Sequence, residues 1–158
     1  MTTLAQSFGS SSSLTLNPTS WTQGTTISSD AVDVSALSPV PVDIEITVTA
    51  TVPNSPLGAQ SAINVYVAVS EDGTHFTGND QYSGSNNSQT ALRSPTNFYG
   101  PFVIPCTQNV AAWGVVGSLR SLCGGVLPRK WGVVLENQTN LTLTGPAATY
   151  TPIGYSNG

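Results

Sequence analysis

The stretch Ile44-Glu-Ile-Thr-Val-Thr-Ala-Thr-Val52 alternates apolar and polar side chains without interruption. Ile44, Ile46, Val48, Ala50 and Val52 fall on one side, and Glu45, Thr47, Thr49 and Thr51 on the other. Alternation of period two does not build the stripe of an amphipathic helix. It gives a β-strand one face for a core and one for solvent. Pro53, Pro56 and Gly58 end the run. Ile63-Asn-Val-Tyr-Val-Ala-Val69 repeats the pattern, with Ile63, Val65, Val67 and Val69 inward. Its other side carries Tyr66 and Ala68, which predicts a partly covered second face. Asp72-Gly73 follows and signals a tight turn, because glycine accepts positive φ. Thr74 to Thr77 would begin a return strand.

Further strands are expected near Ile27 to Val34, Phe98 to Ile104, Asn109 to Gly117, Lys130 to Glu136, Leu141 to Thr144 and Thr149 to Gly154. Pro95, Pro101, Pro105, Gly124-Gly125, Pro128 and Gly145-Pro146 separate them. The one weak helical signal lies at Val116 to Val126. About eight or nine short strands with Pro/Gly turns predict an all-β, antiparallel β-sandwich, jelly-roll-like. Residues 23–158 would form that domain. Residues 1–22, with Gly9-Ser-Ser-Ser-Ser13, carry too little apolar surface to fold alone and read as a flexible arm. Within the arm, Leu14, Leu16 and Trp21 are candidates for docking on a neighbour.

Charged residues make up only 8% of the chain, against about a quarter in typical domains. Twenty Ser, 20 Thr and 11 Asn supply the polar surface instead. Hydroxyls and amides hydrogen-bond without the cost of burying an ion, so neighbours cover such a surface cheaply. Only Arg93, Arg120, Arg129 and Lys130 are basic, which argues against nucleic acid as a partner. No apolar run reaches the length of a membrane-spanning helix, so no membrane partner is expected. The start, Met1-Thr-Thr-Leu-Ala-Gln-Ser-Phe8, lacks the basic and apolar regions of a secretory leader. Secretion is therefore not expected, and Cys106 and Cys123 are expected reduced rather than bridged.

The residue types that carry chemistry are sparse. His75 is the single histidine and sits beside the Asp72-Gly73 turn, with no Gly-x-Ser-x-Gly elbow anywhere. The carboxylates Asp30, Asp33, Asp43, Glu45, Glu71, Asp72, Asp80 and Glu136 are scattered, with no evident pair for glycoside hydrolysis. Glu71, Asp72, Asn79 and Asp80 form an oxygen-rich loop without the spacing of a calcium-binding helix–loop–helix, and read as turn chemistry. The expectation is no enzyme, no cofactor and no metal. Trp113 and Trp131 lie in apolar strand runs and are expected in the core. Tyr82, Phe98 and Tyr99 are the aromatics expected at the surface, Tyr82 within an exposed polar loop spanning residues 78–90.

Three stretches carry a resemblance. Val65-Tyr-Val-Ala-Val-Ser-Glu-Asp-Gly73, Tyr99-Gly-Pro-Phe102 and Gly124-Gly-Val-Leu-Pro-Arg-Lys-Trp-Gly-Val-Val-Leu-Glu-Asn-Gln-Thr139 together resemble small virion proteins of tailed bacteriophages. The resemblance spans roughly residues 63 to 140. It implies a non-enzymatic particle component: a capsid decoration (cement) subunit that binds and stabilises the shell. The alternative is a tail-tip or fibre-associated module that binds host surface glycan or other tail proteins. The expected partners are major capsid or tail subunits and further copies of the chain itself. Leu14, Leu16, Trp21, Tyr82, Tyr99, Tyr150 and Tyr155 are the expected assembly contacts.

Overall fold

The computed structural model describes residues 4–17, 20–59, 61–77, 82–87 and 98–157. They form twelve strands: β1 Leu4–Phe8, β2 Ser12–Leu14, β3 Leu16–Asn17, β4 Ser20–Trp21, β5 Thr26–Ser29, β6 Val32–Asp33, β7 Asp43–Thr51, β8 Ala62–Ser70, β9 Tyr99–Pro105, β10 Ala112–Ser118, β11 Lys130–Asn137 and β12 Leu143–Asn157. Two single-turn helices interrupt them, a 3-10 turn at Val34–Ala36 and α1 at Leu119–Leu122. The first sheet has the order β1-β12-β7-β10, with β2 and β4 also on β12. The second has the order β9-β8-β11-β5-β3, with β6 also on β11. Every pairing is antiparallel. The fold is thus a two-sheet antiparallel β-sandwich. The strand orders do not establish the jelly-roll connectivity expected from sequence.

The alternation in β7 and β8 sets the core. Ile44, Ile46 and Val48 meet Ile63, Val65 and Val67 between the sheets, and none of the six exposes measurable surface. Trp131, Val133 and Leu135 of β11 join them from the same side of the second sheet. The opposite side of that sheet is covered too. Tyr66, Ala68 and Val134 pack there with Phe76, Tyr82 and Phe98, which fold back from the segment after β8. The Tyr66/Ala68 face is covered, as its composition predicts.

The N-terminal segment differs from the expected arm. β1, β2 and β4 run antiparallel along the outer edge of β12, from Leu4↔Asn157 to Leu143↔Trp21. β3 crosses to the second sheet and pairs with β5. Leu14 and Trp21 are buried in the core. The reason is physical: strand addition needs only backbone donors and acceptors, which Ser and Thr supply as well as any residue. Two apolar side chains then suffice to fasten the segment. Asn137, fully buried, reinforces this. Its Nδ2 donates to Trp21 O at 2.9 Å and Leu141 O at 2.8 Å, and its Oδ1 accepts from Thr139 N at 2.8 Å.

Two local expectations change. The strands expected at Leu141–Thr144 and Thr149–Gly154 are one 15-residue strand, β12, which starts at Leu143 and has a register irregularity between Thr144 and Ala147 where Gly145-Pro146 falls. The weak helical signal after Val116 is a single turn, α1, capped by Ser118 Oγ on Ser121 N.

Candidate functional site

The outward face of the first sheet is the surface that stands out chemically. β7 directs Glu45, Thr47, Thr49 and Thr51 away from the core. The registers build rows across it. Trp113 of β10 lies opposite Thr49, which lies opposite Ala147 of β12. Val115 lies opposite Thr47, then Thr149, then Ser13 of β2. Farther along β12, Ile153 faces Phe8 of β1, and Tyr155 faces Gln6. The face is therefore a field of threonines flanked by apolar side chains. Trp113 is 63% exposed, Phe8 65%, Tyr155 62% and Val115 41%. Its charges sit at one end, on Glu45 and Asp43. Asp43 is engaged in structure: it accepts from Ser118 Oγ at 2.5 Å and from Arg120 N at 3.0 Å, tethering the α1 turn.

Trp113 corrects the sequence reading, which placed it in the core. The run Ala112-Trp-Gly-Val-Val116 is apolar on both parities, so periodicity alone does not choose a face. Pairing with β7 chooses it: Ala112 and Val116 are buried, and Gly114 seats against Ile104 of β9. A Cβ at Gly114 would lie 2.6 Å from Ile104 Cγ1. The two sheets pinch together here, so the small residues go in and the indole goes out. Trp131 is fully buried, as expected, with Tyr150 set edge-on to it at 5.6 Å.

The expected contact residues divide. Tyr155 is exposed and on this face. Leu16, Tyr99 and Tyr150 are half-buried and pack against the core, Tyr150 from the inward side of β12. Leu14, Trp21 and Tyr82 are buried and are not available as contacts. Phe98, expected at the surface, is buried as well. Tyr82 fills the space above Gly132 of β11, where a Cβ would fall within 2 Å of the tyrosine hydroxyl oxygen. A glycine inside an apolar strand was the available signal for that close approach. Of the expected polar loop, residues 78–81 and 88–90 lie outside the described residues. The described part is fastened down: Asn86 N and Nδ2 donate to the two carboxylate oxygens of Asp30 at 2.9 and 3.0 Å, and Asn87 N donates to Ser28 Oγ at 3.0 Å.

Among the described residues, His75, Ser70 and Asp72 come together at one turn. His75 Nδ1 lies 2.5 Å from Asp72 Oδ2, and Ser70 Oγ donates to Asp72 Oδ1 at 3.0 Å. A nucleophilic triad needs the imidazole between hydroxyl and carboxylate. Here the carboxylate stands in the middle and the serine has no base. Asp72 Oδ1 also accepts from Thr74 N and His75 N, each at 2.8 Å, so the residue ties the turn. The His75 contact, followed by these amides, holds the Asp72 carboxyl well below the usual range. No return strand is assigned at 74–77, but Thr77 N donates to Val69 O at 2.9 Å. Glu136 accepts from Asn64 Nδ2 at 3.1 Å and Tyr66 Oη at 3.2 Å. Burial, then the Glu136 charge, pushes the Tyr66 phenol up to about 12. Among the described residues no group of three His, Cys, Asp or Glu side chains is placed to hold a metal. Of the oxygen-rich loop read as turn chemistry, Asn79 and Asp80 lie outside the described residues.

Cys106 and Cys123 are unpaired and half-buried. Burial raises both thiols, Cys123 to about 11 with help from the Glu71 and Asp43 charges. An open cleft of about 430 Å³ lies between the Leu37–Pro41 loop and the paired strands β1 and β12. Phe8, Leu37, Pro39, Pro41 and Pro152 line it with serines, and no charged side chain does. No described helix is long and apolar enough to cross a membrane.

Comparison with protein-family models, curated proteins and solved structures finds no match to this chain. The likeness to tailed-phage virion proteins rests on the residues quoted from the sequence.

Proposed function

We propose that this chain is a non-enzymatic structural subunit of a tailed-phage virion, most plainly a capsid decoration protein that binds the shell and stabilises it. The observation that carries the reading is the outward face of the first sheet. It is nearly uncharged and hydroxyl-rich, and Trp113, Val115, Phe8 and Tyr155 stand exposed on it. Exposed apolar clusters mark contact surfaces, and aromatic anchors contribute most of the energy when such surfaces are covered. Neutral hydroxyls around them cost far less to desolvate than charges do, and hydrogen bonds across the contact offset that cost. The partners in this reading are major capsid or tail subunits and further copies of the chain. The test adds purified protein to decoration-free particles. Saturable co-sedimentation and a higher rupture temperature are expected, and Trp113→Ala should weaken both. Particles that neither bind the protein nor gain stability would refute it.

The exposed Trp113 over rows of Thr47, Thr49 and Thr149 favours one second reading, a glycan-binding module on a tail tip. An indole stacks on the apolar face of a sugar, and the hydroxyls suit a neutral ligand. Glycan-array binding lost in Trp113→Ala but kept in Tyr82→Phe would establish it over the first.

A further inference from the structure

Among the described residues, each sheet ends in strands paired on one side only. Such edges attract further strands, and natural proteins guard them with proline, charge, bulges or short length. In the second sheet, β9 carries Pro101 and Pro105, which lack N–H groups, and an irregularity between Tyr99 and Phe102. β3 has two residues and β1 five. β10 has seven and contains neither proline nor charge. Its register on β7 is continuous from Ala112 to Val116 and breaks only between Val116 and Ser118, at its end, and no other strand pairs with it among the described residues. Residues 109 to 118 carry no charge at all. Of the two end strands of the first sheet, β1 and β10, β10 is the one that sets two exposed apolar side chains, Trp113 and Val115, next to each other on one face.

We infer that a second copy of this chain pairs with β10, antiparallel and about a two-fold axis at Gly114, so that the first sheets of two copies become one continuous sheet. The inference rests on the subunit reading above. Two features single out a second copy rather than a foreign strand. A two-fold axis sets every residue against its own kind of surroundings, so a charged strand would repel itself; this one is neutral. With Gly114 at the centre, Trp113 falls opposite Val115 of the other copy, and Val115 opposite its Trp113. Aromatic against β-branched is a favourable cross-strand pair, and the symmetry makes it twice. The same strand read in any one-residue shift loses this match, because the side-chain period is two.

Trp113 is also the reporter. Trp21 and Trp131 are buried, so the one exposed indole of the three lies in the proposed contact. The experiment is light scattering coupled to size exclusion, with acrylamide quenching of tryptophan fluorescence at each concentration. The wild-type protein should reach about twice 16.3 kDa as its concentration rises, and quenching should fall in step. Val115→Lys places a charge on the outward side of β10 and removes both pairs; it should raise the dimer dissociation constant at least tenfold. Val115→Thr keeps the branched shape and should stay within a few-fold of wild type. Circular dichroism and thermal unfolding of both variants should match wild type, since residue 115 points to solvent. A wild type that stays monomeric at about 100 μM, or a dimer indifferent to Val115→Lys in a folded variant, overturns the inference. A monomer that still decorates particles sinks the pairing alone. A β10-dependent dimer that binds no particle upholds the pairing and removes the virion reading.

Discussion

Trp21→Ala tests whether the N-terminal segment belongs to the fold. A free arm would tolerate the change within about 0.5 kcal/mol, as exposed positions do. In the structure Trp21 is 3% exposed, packs in the inter-sheet core and pairs through β4 with Leu143 of β12. Truncating a buried tryptophan to alanine costs about 3–5 kcal/mol through lost transfer energy and the cavity left behind. That is a large part of the roughly 5–15 kcal/mol available to a domain. For a chain of this size each kcal/mol lowers Tm by about 2–4 °C, so a fall of roughly 10 °C is expected. Urea unfolding followed by far-UV circular dichroism measures it, and the slope with denaturant should stay unchanged. A companion variant sharpens the test. The Trp21 indole N–H is buried without a partner among the described residues. Trp21→Phe removes that N–H as well as some volume, so it should cost much less than alanine. A loss below about 0.5 kcal/mol for Trp21→Ala would show that the segment is not anchored as described.

Other consequences are as direct. Asn137→Ala leaves Trp21 O and Thr139 N without their buried partner and should cost about 2–5 kcal/mol, with easier proteolysis of residues 4–21 as the accompanying sign. Tyr66 should titrate near 12 by ultraviolet absorbance. An unfolded tyrosine ionises near 10, so the folded state holds the extra proton between those values and stability falls as pH rises through them. Glu136→Gln should lower that phenol, and an unchanged titration would contradict the assigned cause. Asp72 has its carboxyl depressed, so its contribution is present above the unfolded carboxylate range and fades as pH falls below it; Asp72→Asn should flatten the acid limb of the stability curve. Cys123, pushed up to about 11, should react with iodoacetamide at pH 8 far more slowly than a free thiol, and a fast reaction would rule out the burial described.

The amino-acid order alone sets the two strands that organise the sandwich. Unbroken alternation in 44–52 and 63–69 leaves one strand face for the core, and the nearby prolines and glycines fix where each strand stops. It also determined the neutral character of the surface, since four basic and eight acidic residues cannot charge it whichever way the chain folds. The facing of residues whose local pattern is silent follows instead from contacts between distant segments. Trp113 sits in a run that is apolar on both sides, and its direction follows from pairing with β7 and from the pinch of Ile104 on Gly114. Tyr82 sits among polar residues, and its burial follows from the bare backbone of Gly132, far away in sequence. The Ser-rich N-terminus has no apolar period to read, yet it pairs because β12 offers an open backbone edge. Local pattern records the preferences of a segment, whereas backbone pairing and close approach are properties of two segments at once. They exist only when both are in place.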